Sequence, residues 1–191
     1  YHQVGVIYFQ LGSWQKALEY HRKAIYLEEQ KLQFYPAFVT CLIQCGLKEE
    51  AEGVIDQVLG WVPDQNAMLS QKANLCLQMG RLEEARDYAL EVVKLEPKNG
   101  ARWHQLANIY FVRGEHEQAL KTQVKTLEFE SGNPGHWELL GRILAGLEQW
   151  ERSALARIRV QELRKTQEPK LDAAKQLRGL LAQIDKIIPK L

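Results

Sequence analysis

Apolar side chains recur along this chain three and four residues apart, in segments that come in pairs. The segment beginning at Trp103 reads Trp-x-x-Leu-Ala-x-x-Tyr, and the one beginning at Trp137 reads Trp-x-x-Leu-Gly-x-x-Leu. A second apolar stripe follows a glycine, as in Ala85, Ala89 and Val92. Because such spacing places side chains on one face of an α-helix, the pattern predicts pairs of amphipathic helices joined at a glycine.

The glycine between paired segments recurs every 34 residues, and its neighbours recur with it. It stands at Gly12, Gly46, Gly80 and Gly114, whereas Glu148 occupies the fifth position. One helix pair cannot bury its apolar face alone, so a repeat of this length predicts an all-α stack of helix pairs. A small residue follows each of the five positions, five places later: Ala17, Ala51, Ala85, Ala119 and Ser153.

Together with a closing proline at Pro63 and Pro97, these features resemble the tetratricopeptide repeat (TPR). The resemblance implies a right-handed α-solenoid of antiparallel helix pairs, the TPR superhelix. We expect eleven helices, two per repeat and one in the tail, and no β-strand. Since Glu29 stands where the first closing proline belongs, we also expect the second helix to run on towards Pro36. The implied repeats are residues 1–31 (truncated), 32–65, 66–99, 100–133 and 134–167.

The tail, residues 168–191, leaves the repeat but keeps a helical pattern. Its apolar stripe comprises Leu171, Ala174, Leu177 and Leu181. A solenoid needs a terminal element that covers its last apolar face, so we expect a C-terminal capping helix. A docking helix for a partner is the alternative interpretation.

Composition adds few constraints on the partner. The 191 residues carry a net charge of +1, which gives no strong attraction to nucleic acid or membranes. Residues 151–191 are locally basic, but no aromatic side chains interleave the charges, so nucleic acid is not the expected partner. The sequence has no membrane-length apolar run, and the expected location is the cytoplasm. Tyr1 falls inside a repeat, and we expect the full protein to begin earlier.

No catalytic or metal-binding motif is present. The sequence lacks a glycine-rich phosphate loop, a His-Glu-x-x-His pair and a Gly-x-Ser-x-Gly elbow. The glutamate pairs at 49–50 and 83–84 lie in the first turn of a second helix. Negative charge there interacts favourably with the positive end of the helix dipole. Cys41, Cys45 and Cys76 lack zinc spacing and are expected to be small buried hydrophobes. We therefore expect no enzyme activity, no cofactor and no metal.

The resemblance implies a binding surface on the concave face, which the first helix of each repeat lines. Asn74 and Asn108 occupy equivalent places, and a ladder of amides can pair with the backbone of an extended peptide. The alternative is that these amides are merely solvated. The candidate binding residues are Phe9, Thr40, Asn74, Leu77, Gln78, His104, Asn108, Phe111, Val112 and Arg142.

The resulting expectation is a non-catalytic protein–protein interaction module that acts as a scaffold, chaperone or assembly factor. Its partner would be another protein or an extended peptide. The alternative is a regulatory or substrate-recruiting domain of a larger enzyme. A TPR subclass that grips the acidic C terminus of heat-shock chaperones is matched only at Asn74, so that partner is not expected. The sequence does not indicate an oligomeric state.

Overall fold

The computed structural model of the protein describes residues 1–62 and 65–166. These residues form five successive helix pairs without a β-strand among them, which confirms the all-α TPR architecture. The chain divides within α5 into two compact units, residues 1–71 and 72–168. The helices are α1 His2–Gln10, α2 Trp14–Leu27, α3 Tyr35–Gln44, α4 Lys48–Trp61, α5 Asn66–Gln78, α6 Leu82–Leu95, α7 Gly100–Val112, α8 His116–Phe129, α9 Pro134–Gly146 and α10 Trp150–Thr166.

Two expectations about helix bounds have different outcomes. The capping helix expected in residues 168–191 lies outside the described residues. The expectation that the second helix runs on towards Pro36 is wrong, because α2 ends at Leu27. Glu28 leaves the helical conformation at φ −144°, and a short 3-10 helix, Leu32–Phe34, follows. Pro36 lies in the first turn of α3. N–H groups there have no intrahelical acceptor, so a proline costs the helix no hydrogen bond.

Each repeat reverses direction through one left-handed residue. Gly12, Gly46, Gly80 and Gly114 have φ between 72° and 80°, and Glu148 has φ 58° at the same place. The hydrogen bonds repeat as well: in the fourth repeat the Glu115 N–H bonds to the Tyr110 carbonyl at 2.9 Å. This pairing closes the end of the first helix and leaves only three residues before the second. A glycine adopts the conformation without a Cβ clash, whereas Glu148 adopts it at a cost.

Small residues lie where the two helices of a repeat cross in the second unit. Short side chains at these places let the helix axes approach towards the lower end of the ~8–10 Å range. At Gly141 the contact is also polar, because the Ser153 hydroxyl donates to the Gly141 carbonyl at 2.8 Å. The pairs that share a buried cluster or a hydrogen bond are Ala73 with Ala85, Ala107 with Ala119, and Gly141 with Ser153.

In the first unit a buried histidine packs against the glycine of α1. A Cβ added to Gly5 would lie 2.8 Å from His21 Nε2, so only glycine leaves room for this ring. His21 is fully buried, and neither ring nitrogen has a hydrogen-bond partner in the described structure. Burial, and secondarily the nearby His2, lowers the pKa of His21 to about 4. The first unit therefore folds around a neutral imidazole.

Two tryptophans fix the starts of α7 and α9. The Trp103 indole donates to the Pro97 carbonyl at 2.8 Å, and the Trp137 indole donates to the Ser131 carbonyl at 2.8 Å. Because both tryptophans hold the same place in successive repeats, each first helix is tied to the turn before it. Trp103 also packs against the buried cluster between α6 and α7, with Lys125 Nζ 4.5 Å from its ring centroid.

Replacing Glu148 with glycine should stabilise the protein by about 0.5–1 kcal/mol, because glycine enters the left-handed region without the Cβ penalty. The matched control is Gly114→Glu, which should lose stability at the equivalent turn. Urea denaturation of the whole chain, followed by circular dichroism, measures both changes. A Glu148→Gly variant no more stable than the wild type would contradict the assigned turn.

Candidate peptide-binding face

Three residues at the same place in successive repeats form a polar row on the first helices. Asn74 lies on α5, Asn108 on α7 and Arg142 on α9, each 34 residues from the next. One turn after each of the two asparagines lies an apolar residue, Leu77 or Phe111, and side chains three apart share a helix face. Leu77 and Phe111 are half-buried. We call Asn74, Asn108 and Arg142 the polar row throughout.

At two junctions, a glutamine of the following repeat donates a hydrogen bond to the polar residue of the repeat before it. In the first unit, the Gln71 amide donates to the Thr40 hydroxyl at 2.8 Å, and that hydroxyl donates to the Pro36 carbonyl. In the second unit, the Gln105 amide donates to the Asn74 Oδ1 at 3.0 Å. The donor is 31 residues after its acceptor in both cases. Thr40 and Asn74, both candidate binding residues, are thus already hydrogen-bonded within the chain.

Asn108 lacks the equivalent donor. Leu139 stands 31 residues after it, where the earlier junctions have glutamine, and Leu139 is buried in the cluster between α7 and α9. The Asn108 side chain makes no hydrogen bond to any residue in the described ranges, and it is half-buried rather than fully solvated. Its amide therefore keeps both its donor and its acceptor available for a ligand.

Arg142 and Phe111 form a cation–π pair beside Asn108. The guanidinium carbon of Arg142 lies 4.7 Å from the centroid of the Phe111 ring. Phe111 packs against the cluster around Ala107 and Ala119, which holds its ring in place. Arg142 is exposed and forms no ion pair with the residues the structure describes. The pair presents a positive charge on a fixed apolar base.

His104 lies in an internal polar cluster beneath this face. The Gln123 amide donates to the His136 carbonyl at 2.7 Å, and the His104 Nδ1 lies 3.3 Å from the Gln123 Oε1. The rings of His104 and His136 are tilted, with centroids 4.6 Å apart. Burial, followed by the neighbouring His136, lowers the pKa of His104. The cluster joins α7, α8 and α9 and supports the face from inside.

The remaining candidates lie in different surroundings. Phe9 belongs to the first unit, where its ring makes an edge contact with Trp14 at 4.7 Å between centroids. Leu77 packs against the cluster between α6 and α7, whereas Gln78 and Val112 are exposed. The structure thus brings Phe111 of α7 and Arg142 of α9 together, and Asn108 and Val112 lie on α7 close to Phe111 in sequence. Sequence reasoning missed Leu139, although the series of two glutamines and a leucine at 34-residue spacing is visible in the sequence.

Other kinds of site receive little support. Within residues 1–62 and 65–166, no helix is long and apolar enough to cross a membrane. The same residues contain no group of three His, Cys, Asp or Glu side chains that could hold a metal ion. Cys41 and Cys76 are buried and Cys45 is half-buried, and burial raises the pKa of Cys41 to about 12.

Acidification should destabilise the protein, in part through His104. A lowered folded-state pKa means that protonation favours the unfolded chain, so stability is full above about pH 6.5 and falls below it. We expect the free energy of unfolding to fall between pH 7 and pH 5, and to fall less in His104→Gln. Urea denaturation at a series of pH values measures both slopes. Identical slopes in the two proteins would contradict the contribution assigned to His104. His21 contributes to the pH dependence of both proteins, so neither slope should be zero.

The helix pairs match those of solved TPR proteins. TTC0263, a thermophilic TPR protein of Thermus thermophilus, has a TM-score of 0.78 at 17% identity, over 95% of this chain and 95% of that chain. PilF of Pseudomonas aeruginosa has a TM-score of 0.73 at 16% identity, over 100% and 91%. MamA of Desulfovibrio magneticus RS-1 has 0.71 at 18%, over 87% and 94%. At these identities the likeness shows the fold alone.

The amino-acid sequence also matches a family model. No match was found among curated protein sequences. The model described as ChAPs (Chs5p-Arf1p-binding proteins) matches residues 13–126, from the residue before α2 into α8. That range covers more than half of the chain and includes Asn74 and Asn108 of the polar row. On this match, the chain belongs to the ChAPs family.

Proposed function

We propose that the chain is a non-catalytic interaction module that binds an extended segment of a partner protein. The binding surface is the part of α7 and α9 that carries Asn108, Phe111, Val112 and Arg142. The observation that carries the proposal is the half-buried Asn108 amide, which has no hydrogen-bond partner among the described residues. The Asn108 amide is not sealed from solvent, so a ligand that carries both a hydrogen-bond donor and an acceptor can reach it.

The chemistry of this surface suits an extended backbone. A peptide strand presents carbonyl and N–H groups alternately, and one carboxamide can pair with both. Val112 has 49% of its surface exposed and Phe111 lies half-buried beside it, so the two can receive side chains that flank the bound amide. Most of the contact area is then apolar, while Asn108 fixes the position of the segment.

The comparisons support a protein partner. The family description names proteins that bind Chs5p and Arf1p, and the solved neighbours are TPR proteins. The roles of scaffold, chaperone and assembly factor all use such a module. Three unpaired cysteines, two of them buried, fit the reducing environment of the cytoplasm, where we place the protein.

Asn108→Ala should weaken the binding of a true ligand of this face by roughly 1–3 kcal/mol, because the peptide backbone loses its partner. Peptides selected from a random nonapeptide library on the whole chain provide the probe, and isothermal calorimetry measures their affinity. We expect wild-type Kd values on the order of micromolar, since an extended peptide loses much freedom on docking.

Gln118→Ala is the matched control, because Gln118 is an exposed amide on α8, away from the first helices. It should leave peptide affinity unchanged, and both variants should unfold within about 0.5 kcal/mol of the wild type. Equal affinities for wild type and Asn108→Ala would overturn the proposed surface. Failure to select any peptide would overturn the proposed ligand class.

A further inference from the structure

The polar row ends in a cation whose charge is not neutralised within the described structure. Arg142 is exposed on α9, and its guanidinium rests over Phe111 rather than against a carboxylate. The nearest acidic residue on its own helix face is Glu138, one turn earlier, and that carboxylate pairs with Arg164 of α10. The neighbour that would otherwise neutralise Arg142 is thereby engaged elsewhere.

The contact with Phe111 prepares Arg142 for a carboxylate. A guanidinium that lies over an aromatic ring keeps the N–H groups on its edge free, and these groups match the two oxygens of a carboxylate. Phe111 is held by the buried cluster, so the cation loses less freedom on binding than an ordinary surface arginine. A carboxylate should therefore bind this arginine more tightly than it binds an arginine with a mobile side chain.

Phe111 connects the two polar groups, because it shares a helix face with Asn108 and carries the Arg142 guanidinium over its ring. Asn108 and Phe111 are three residues apart on α7, so their Cβ atoms are about 5–6 Å apart. The guanidinium carbon of Arg142 lies over the Phe111 ring, 4.7 Å from its centroid. An extended chain advances about 3.3 Å per residue, so a segment that pairs with Asn108 and passes Phe111 reaches Arg142 within a few residues.

Building on the proposed function, we infer that this face selects partner segments carrying an internal aspartate or glutamate. The acidic residue lies within a few positions of the residue whose backbone pairs with Asn108, and its carboxylate binds Arg142. Charge complementarity specifies this occupant, because Arg142 is a positive group without an ion-pair partner in the described part of α7 and α9. The terminal-carboxylate clamp of the chaperone-binding subclass is a different device, since Gly135 stands where it needs a lysine.

Two phage-displayed nonapeptide libraries test this inference on the whole chain. One library holds the peptides internally, so they have no terminal carboxylate, and the other leaves the C terminus free. The baits are wild type, Arg142→Leu, Arg142→Lys and the control Arg159→Leu. Arg159 is an exposed arginine on α10 that pairs with Glu162, so its loss changes the net charge equally.

We expect the internal library to yield peptides enriched in Asp or Glu on wild type and on Arg159→Leu, but not on Arg142→Leu. Arg142→Lys should keep part of the enrichment, because lysine retains the charge without the two-pronged geometry. In calorimetry, replacing the selected Glu by Gln should weaken binding to wild type about fivefold and leave binding to Arg142→Leu unchanged. Circular dichroism confirms that each bait is folded.

Several outcomes would overturn the inference. Acidic enrichment that survives in Arg142→Leu, or that falls equally in Arg159→Leu, would assign the preference to other cations or to bulk charge. Enrichment confined to the free-terminus library would assign it to a terminal carboxylate. Peptides that bind through Asn108 without acidic preference would leave the proposed function standing and remove this inference. No enriched peptide in either library would remove both.

Discussion

Two helices can fold back on each other within three residues only if one residue enters the left-handed region, and every later feature of this chain depends on that reversal. The residue recurs with the repeat, so the crossing of small residues, the tryptophan anchors and the exposed rows recur with it. Glycine meets the requirement at four turns, and Glu148 meets it at the fifth with φ 58°. That Glu148 still closes the turn shows that packing between α9 and α10 outweighs the local conformational penalty.

The proposed binding surface depends on how neighbouring repeats share polar groups. Gln71 and Gln105 each donate to the polar position of the repeat before them, which satisfies Thr40 and Asn74 within the fold. Leu139 breaks that series and places an apolar side chain into the core beside α7, and Asn108 has no side-chain hydrogen bond to any described residue. At this junction a core contact stands where the earlier junctions have a hydrogen bond. Arg142 lies over Phe111 at the same junction, so the polar and charged parts of the proposed surface are neighbours.

The sequence predicts the helices of this fold because its signals are local. The glycine spacing, the small residues at the crossings and the acidic first turns of α4 and α6 each act within one repeat. The end of α2 was not predicted, because Glu28 leaves the helix without a proline, and breaks of that kind depend on surrounding packing. The equivalence of Asn74 and Asn108 could be read from the sequence. Their different hydrogen bonding could not be read from the sequence. It depends on which side chain of the next repeat's first helix comes within hydrogen-bond distance.

The glutamine hydrogen bonds between repeats affect how such arrays can evolve or be engineered. Each bond makes the exposed chemistry of one repeat a property of the repeat that follows it. A repeat moved to another place in the array, or given a new successor, would therefore present a different surface although none of its own residues had changed. In this chain the helix pair that folds as a unit and the surface proposed for recognition are offset by one helix pair, so grafting that surface would require transferring two consecutive repeats rather than one.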